Sequence, residues 1–279
     1  GIDPLISYLH FRGGCYSTIG NQNFFGSYVV TLLTLSSGLF LMDRRPQTLF
    51  LCSLFFGGLL ACNTRGCWLA FLAIAVFSLL LLTKKRFVLP FVILLISFTC
   101  VTLTMNHTRQ NHIMGRAMSI EQQISMEEEA GSGRVQIWKM TLNVIGENPI
   151  LGTGPENLKE HFIRTENEGF LAYKKRTGKT VDKAHSEILH IAAVSGIPAA
   201  ILFIMFLLSI YWKNRKLVFQ LNSSSILMMT VSVYLMQALF NISIISVAPL
   251  FWVLLGVFSR AELIEETFFY SNKSSSSPS

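Results

Sequence analysis

The fold of this chain is decided by residues 134–200, RVQIWKMTLNVIGENPILGTGPENLKEHFIRTENEGFLAYKKRTGKTVDKAHSEILHIAAVSGIPAA, a polar stretch set between apolar blocks. The stretch begins with an Arg and a Trp, passes through a turn of Gly and Pro, and ends with a His just before an apolar run. The whole chain is unusually apolar, since 51% of its 279 residues are hydrophobic and only 14% are charged. Such a composition is typical of a membrane protein rather than of a soluble domain.

About seven apolar blocks approach or reach the roughly 20 residues that a helix needs to cross a bilayer core. We predict spans at residues 24–42, 47–62, 67–83, 87–105, 187–212, 225–241 and 243–259. The fold class is therefore all-α: a polytopic integral membrane protein with about seven transmembrane helices and one large extracytoplasmic loop. The predicted domains are membrane helices 1–4 (1–105), the large loop (106–186), membrane helices 5–7 (187–262) and a disordered cytoplasmic tail (263–279).

The short loops between the predicted spans give the orientation. Clusters of Lys and Arg lie at residues 44–45, 84–86 and 213–216 and at Arg260 with Lys273, and seven spans place all of them on one side. Cytoplasmic loops carry such an excess of basic residues, so this side is predicted to be the cytoplasm. The same placement accounts for much of the net charge of +7 without a nucleic-acid partner. The loop of residues 106–186 then faces the outside of the membrane.

Apolar residues recur at near-helical spacing at the start of the polar stretch, over residues 133–145. The pattern predicts an amphipathic helix with Ser132 as its N-cap, and Pro149 follows its end because proline disfavours a helical residue before it. We predict a turn at residues 152–155 and a short helix over 156–163 after it.

A basic run of Lys174, Lys175 and Arg176 follows in the second half of the stretch. With Gly178 close behind, the run predicts a mobile basic loop. Such a loop attracts anionic substrates, so these three cations are candidate substrate-binding residues.

Three further residues are candidates for chemistry. Arg65 lies between two predicted spans, where it either extends to the lipid–water interface or binds a lipid-linked phosphate. Arg134 opens the amphipathic helix, where its charge opposes the helix dipole unless an anion lies there too. His185 stands where the loop returns to the membrane, and histidine suits general acid–base catalysis. Exposed or packed side chains without a catalytic role are the structural alternative for each.

Several catalytic and cofactor motifs are excluded. His190 lies five residues after His185 and so misses the i, i+4 spacing of a zinc-binding HExxH helix. Residues 152–157, GTGPEN, lack the Gly-Lys-Ser/Thr of a phosphate-binding loop, and no GxSxG motif occurs. The five cysteines include no CxxC pair. We predict neither a metal nor a cofactor.

Taken together, these segments resemble the O-antigen ligase and O-antigen polymerase (Wzy-type) family of bacterial membrane glycosyltransferases. The resemblance covers nearly the whole chain. It rests on residues 19–23 (IGNQN), 64–66 (TRG), Arg134 with Trp138, 148–155 (NPILGTGP), 185–189 (HSEIL), 195–198 (SGIP) and 249–256 (PLFWVLLG).

The resemblance implies a GT-C-like enzyme that moves a glycan from an undecaprenyl-diphosphate-linked donor to an acceptor hydroxyl, inverting and without a metal. It implies that Arg65 and Arg134 bind the donor diphosphate and that His185 is the base. The implied partners are this donor, an acceptor glycan, lipid or protein, and membrane lipids, in the bacterial cytoplasmic (inner) membrane with the loop facing the periplasm or the cell exterior. The family fold has more helices than seven, so we expect this chain to lack several N-terminal ones.

Other functions stay open at this point. The same chemistry serves a polymerase that extends lipid-linked repeat units as well as a ligase that moves a finished glycan. A transporter or a non-catalytic scaffold of glycan export is the alternative from another class. A transporter predicts charged residues inside the spans or inverted repeats, and the predicted spans contain no Asp or Glu well inside them.

Overall fold

A computed structural model describes residues 15, 17–81, 85–108, 133–165, 167–178, 180–216 and 222–261. Within these ranges the regular structure is helical and contains no strand, so the all-α prediction is confirmed for this part of the chain. The helices are α1 (Gln22–Asp43), α2 (Pro46–Cys62), α3 (Arg65–Leu81), α4 (Val88–Thr108), α5 (Arg134–Glu147), α6 (Leu158–Arg164), α7 (Glu168–Thr177), α8 (Glu187–Ser195), α9 (Ile197–Asn214), α10 (Ser223–Ala238) and α11 (Ala248–Ser259).

Three of the described helices, α1, α4 and α9, are long and apolar enough to cross a membrane. The helices α2, α3, α10 and α11 are also apolar but contain only 10–17 residues. A helix that is apolar around its whole circumference belongs in a membrane or a large core, because it has no polar face to turn toward water. Three spans are thus supported by length and composition, and seven spans stay a prediction.

The predicted span over residues 187–212 differs from the structure at its beginning. Gly196 divides it into α8 and α9, because its φ of 87° and ψ of 164° lie far from helical values. The last two apolar helices also differ from the predicted spans at residues 225–241 and 243–259, which leave a single residue between them. Helix α10 ends at Ala238 and α11 begins at Ala248, so residues 239–247 join them.

The chain divides into two compact units. Unit 1 comprises Gly1–Ile113, Ser209–Gln237 and Ile244–Ser279, and unit 2 comprises Met114–Leu208 and Ala238–Ser243. The predicted tail at 263–279 and much of the predicted loop's first part lie outside the described residues.

Helix α1 shows how unit 1 carries hydroxyl groups in an apolar setting. The hydroxyl of Thr31 donates to the Ser27 carbonyl one turn earlier at 2.8 Å, and Thr34 donates to the Val30 carbonyl at 2.9 Å. The Ser27 hydroxyl also donates to Gln237 Oε1 at 2.6 Å. Each of these three hydroxyls therefore has a partner, which offsets the cost of burying a polar group.

Unit 2 has its own apolar core, to which α5 contributes one face. Ile137, Met140 and Val144 recur at helical spacing and are buried, so the predicted amphipathic helix is confirmed. They pack in one cluster with Phe162 and Phe170, whose rings stack with centroids 5.5 Å apart. The N-cap of α5 is Gly133, and the predicted cap, Ser132, lies outside the described residues.

Candidate functional site

Residues 148–154, here called the glycine turn, lie directly against the end of α8. The amides of Thr153 and Gly154 donate hydrogen bonds to the carbonyls of Ala193 and Val194 at 2.9 and 3.0 Å. The last carbonyls of a helix have no partner within the helix itself. The glycine turn therefore supplies donors that the end of α8 needs.

Two glycines permit this contact between backbones. A Cβ at Gly196 would lie 1.9 Å from the carbonyl oxygen of Ile150, and one at Gly152 would lie 2.5 Å from the carbonyl carbon of Val194. Both glycines also have positive φ, at 87° and 67°. The segments NPILGTGP and SGIP, distant in sequence, are thus two halves of one junction.

The N-terminal end of α5 carries positive charge. Arg134 is the first residue of this helix, and the cap residue Gly133 offers no side chain to the amides of the first turn. From α7, Tyr173 packs over Gly133, and Arg176 donates a hydrogen bond to Gln136 Oε1 at 2.5 Å. Two guanidinium groups and the positive end of the helix dipole therefore lie together, an arrangement that attracts anions.

His185 precedes α8 with a φ of 50°, in the left-handed region. A residue other than glycine held there costs roughly 1–3 kcal/mol. Burial lowers the pKa of His185, the charge of Arg134 lowers it further, and Asp182 raises it. The imidazole is therefore neutral at neutral pH, which is the form that accepts a proton. Among the described residues, no hydrogen bond involves its ring.

A second histidine, His190, lies near the first. Ser186 is the N-cap of α8, so His185 and His190 occupy the position before the cap and the fourth position after it. Side chains at these two positions commonly meet across the first helical turn. Burial and the charge of Lys183 lower the pKa of His190, and the carboxylates of Glu156 and Asp182 raise it. In the part of the chain that is described, His190 Nδ1 is buried without a hydrogen-bond partner.

An ion pair connects the segment before His185 to the residues after the glycine turn. Lys183 Nζ donates a short hydrogen bond to Glu156 Oε1, and this bond lowers the pKa of Glu156. Glu156 also has a positive φ, at 60°. Its carboxylate is exposed, so water and salt screen the pair.

The segment Ala238–Ser243 also belongs to unit 2. It contacts Glu187 and Trp138, two residues of the motifs on which the family resemblance rests. Glu187 Oε2 accepts a hydrogen bond from the Ser243 amide at 2.6 Å, and the ring centroid of Phe240 lies 6.0 Å from that of Trp138. The Trp138 indole N–H is buried and has no acceptor among the residues described. A buried donor left unpaired costs about 1–3 kcal/mol.

A profile of the O-antigen ligase family (Wzy_C) matches residues 50–204, more than half of the chain. The chain belongs to the O-antigen ligase family. No match was found among the curated proteins. Membership confirms the predicted family, and together with the apolar helices it supports a bacterial membrane enzyme of polysaccharide biosynthesis that acts on a lipid-linked glycan and an acceptor.

Arg134 and His185, two of the three predicted catalytic residues, lie in unit 2 of this O-antigen ligase chain. The charge of Arg134 is near enough to shift the pKa of His185. Arg65, the third, is the first residue of α3 in unit 1 and is half-buried. The arginines share a local setting, since each opens a helix.

The predicted mobile loop at Lys174, Lys175 and Arg176 is wrong. These residues form the last turn of α7, which Asn167 caps at its start and Gly178 ends in a left-handed conformation. Basic side chains are favourable there because the C-terminal end of a helix is negative. Lys174 and Lys175 are exposed, and Arg176 reaches α5 as described above.

Sequence reasoning used His190 only to reject a zinc motif and missed its place beside His185. The signal was present, because the spacing of five residues around a Ser cap is that of two side chains meeting at a helix start. No sequence pattern pointed to the contact between Glu187 and Ser243. Within the described ranges, no group of three or more His, Cys, Asp or Glu side chains is placed to hold a metal ion.

Unit 1 also contains an apolar cavity of about 400 Å³. Its walls come from α1 to α4 and α10, with Phe56, Phe71, Phe98 and Ile226 among the lining residues. Ser37 lines it too, and its buried hydroxyl has no partner among the described residues. The cavity is large enough for part of an apolar chain.

Proposed function

We propose that this chain transfers a glycan from an undecaprenyl-diphosphate-linked donor to an acceptor hydroxyl at the N-terminal end of α5. One observation carries the proposal: the neutral imidazole of His185 lies within electrostatic reach of the Arg134 guanidinium. The transfer needs a base for the acceptor hydroxyl and a cation for the leaving diphosphate. This pair supplies both.

The mechanism follows from these two roles. The acceptor oxygen attacks the anomeric carbon on the face opposite the diphosphate, so the new bond has inverted configuration. His185 takes the hydroxyl proton as the bond forms. The bond from the anomeric carbon to the diphosphate oxygen breaks, and the electron pair leaves with undecaprenyl diphosphate. Arg134 and the positive end of α5 stabilise that charge, so the step needs no metal ion.

Other parts of the chain support this assignment. Lys174, Lys175 and Arg176 of α7 attract the anionic donor toward α5. A diphosphate-binding role for Arg65 is proposed from the family resemblance, independently of its position. The loop of residues 106–186, which contains Arg134 and His185, faces the outside of the membrane, as the basic short loops predict.

The test uses purified protein, purified lipid-linked glycan and envelope vesicles from a strain that lacks this protein, with release of undecaprenyl diphosphate as the readout. His185→Ala and Arg134→Ala should each lower the rate by about 10²–10⁴-fold. Lys139→Ala removes an exposed cation from the same helix and should keep the rate. Transfer by His185→Ala at the wild-type rate would refute the proposal. Growth of the donor itself into longer chains would identify a polymerase.

A further inference from the structure

The two histidines of unit 2 stand at the start of α8, one position before its cap and four positions after it, where side chains commonly meet. The charge that most affects His185 is that of Arg134, and the charge that most affects His190 is that of Lys183. Lys183 lies two residues before His185 and bonds to Glu156, so this ion pair adjoins the same segment. In the transfer proposed above, the donor diphosphate lies at Arg134. The acceptor hydroxyl must reach the base His185 from the opposite face of the sugar, so a side chain beside His185 borders the acceptor.

The ring of His190 has one nitrogen left for a ligand. Nδ1 is buried, and no residue in the described ranges bonds to it. The ring as a whole is only partly buried, so Nε2 is the atom that a ligand can reach. An unpaired buried N–H is rarer than an unpaired acceptor, so the proton of the neutral ring belongs on Nε2. His190 thus presents a hydrogen-bond donor beside the base.

We propose that His190, flanked by the Lys183–Glu156 ion pair, forms the acceptor subsite of this enzyme. Its Nε2–H donates a hydrogen bond to an oxygen of the acceptor and holds the reacting hydroxyl against His185. The ligand class is a hydroxyl-rich part of the acceptor, because the ion pair beside the Nε2–H group presents both signs of charge. The proposal rests on the proposed function. His190 is a positioning residue and takes no proton.

Two conservative variants separate this role from packing. Both variants remove the ring. His190→Gln places an amide N–H near the position of Nε2, whereas the shorter side chain of His190→Asn places one near the position of Nδ1. The acceptor probe is envelope vesicles from a strain that makes neither this protein nor the lipid-linked glycan, and the donor is purified lipid-linked glycan. His190→Asn should raise the vesicle concentration for half-maximal rate about tenfold, and His190→Gln by no more than about threefold. The KM for the donor should stay the same in both.

Equal effects of the two variants, or a rise in the KM for the donor alone, would overturn the acceptor subsite. A second measurement uses the wild-type protein and does not depend on folding of a variant. Diethyl pyrocarbonate modifies accessible histidines, and mass spectrometry reports the extent at His190. Acceptor vesicles should slow modification of His190 while donor alone does not, and protection by donor alone would overturn the subsite.

The two proposals fail in different ways. Wild-type transfer by His185→Ala would overturn the proposed function itself. An inactive His185→Ala together with unchanged acceptor dependence of His190→Asn would overturn only the acceptor subsite.

Discussion

A methyl group added at Gly196 should break the contact between the glycine turn and α8. The new Cβ would lie 1.9 Å from the Ile150 carbonyl oxygen, so one of the two backbone segments has to move. The φ of 87° and ψ of 164° belong to a region that is essentially restricted to glycine, and an alanine there adds roughly 1–3 kcal/mol of strain. Displacing packed neighbours costs about another 1–3 kcal/mol. We expect Gly196→Ala to lower the free energy of unfolding by roughly 2–6 kcal/mol.

The assay is thermal unfolding of the purified protein in detergent. For a chain of this size, each 1 kcal/mol lowers Tm by about 2–4 °C, so Gly196→Ala should unfold at least about 4 °C below the wild type. Gly146→Ala is the matched control, because its Cβ would meet nothing within 4 Å and alanine favours the helix. If both variants unfold at the wild-type temperature, the two segments do not interlock and the reasoning is refuted.

Three further predictions concern the site. Asp182→Asn removes a negative charge that raises the pKa of His185, so that pKa should fall. The transfer rate rises with pH as the base loses its proton, so this rise should move to lower pH in the pH–rate profile. The control Glu156→Gln should leave the rise in place. Trp138→Phe removes an unpaired buried N–H and should keep or raise Tm. The control Trp68→Phe breaks a 2.8 Å hydrogen bond to a backbone carbonyl. It should lower the free energy of unfolding, measured in a denaturant titration, by about 0.5–1.5 kcal/mol. His185→Asn should abolish transfer yet unfold at a higher temperature, because Asn tolerates left-handed backbone; a lower Tm would contradict the strain assigned to His185.

Helix α5 was predictable from sequence because its apolar residues pack on one core and so repeat at helical spacing. The helix at Lys174 was missed for a local reason. A basic run before Gly178 is compatible with a loop, but a glycine just after cations is also the usual end of a helix, where both are favourable. The signal was ambiguous, and the packing of Phe170 and Tyr173 in the core decides it.

The geometry of the site was less predictable than its residue types. Arg134 and His185 could be named from their motifs, but the lowered pKa of His185 depends on burial and on a charge 51 positions away in sequence. The bond between Glu187 and Ser243 joins segments that share no pattern. Such contacts come from tertiary packing, which a single sequence does not encode in any local period.

Packing, rather than charge, holds the strained backbone at His185. Val181 and Ala184, just before it, are 2% and 0% exposed, and Ser186 after it is also buried. Burying a valine side chain contributes about 1.5–3 kcal/mol, which is comparable with the roughly 1–3 kcal/mol that one left-handed residue costs. The ion pair of Lys183 contributes little, because its partner carboxylate is exposed and screened. The position of the base therefore depends on the apolar contacts of its neighbours, while the surrounding charges set only its proton affinity.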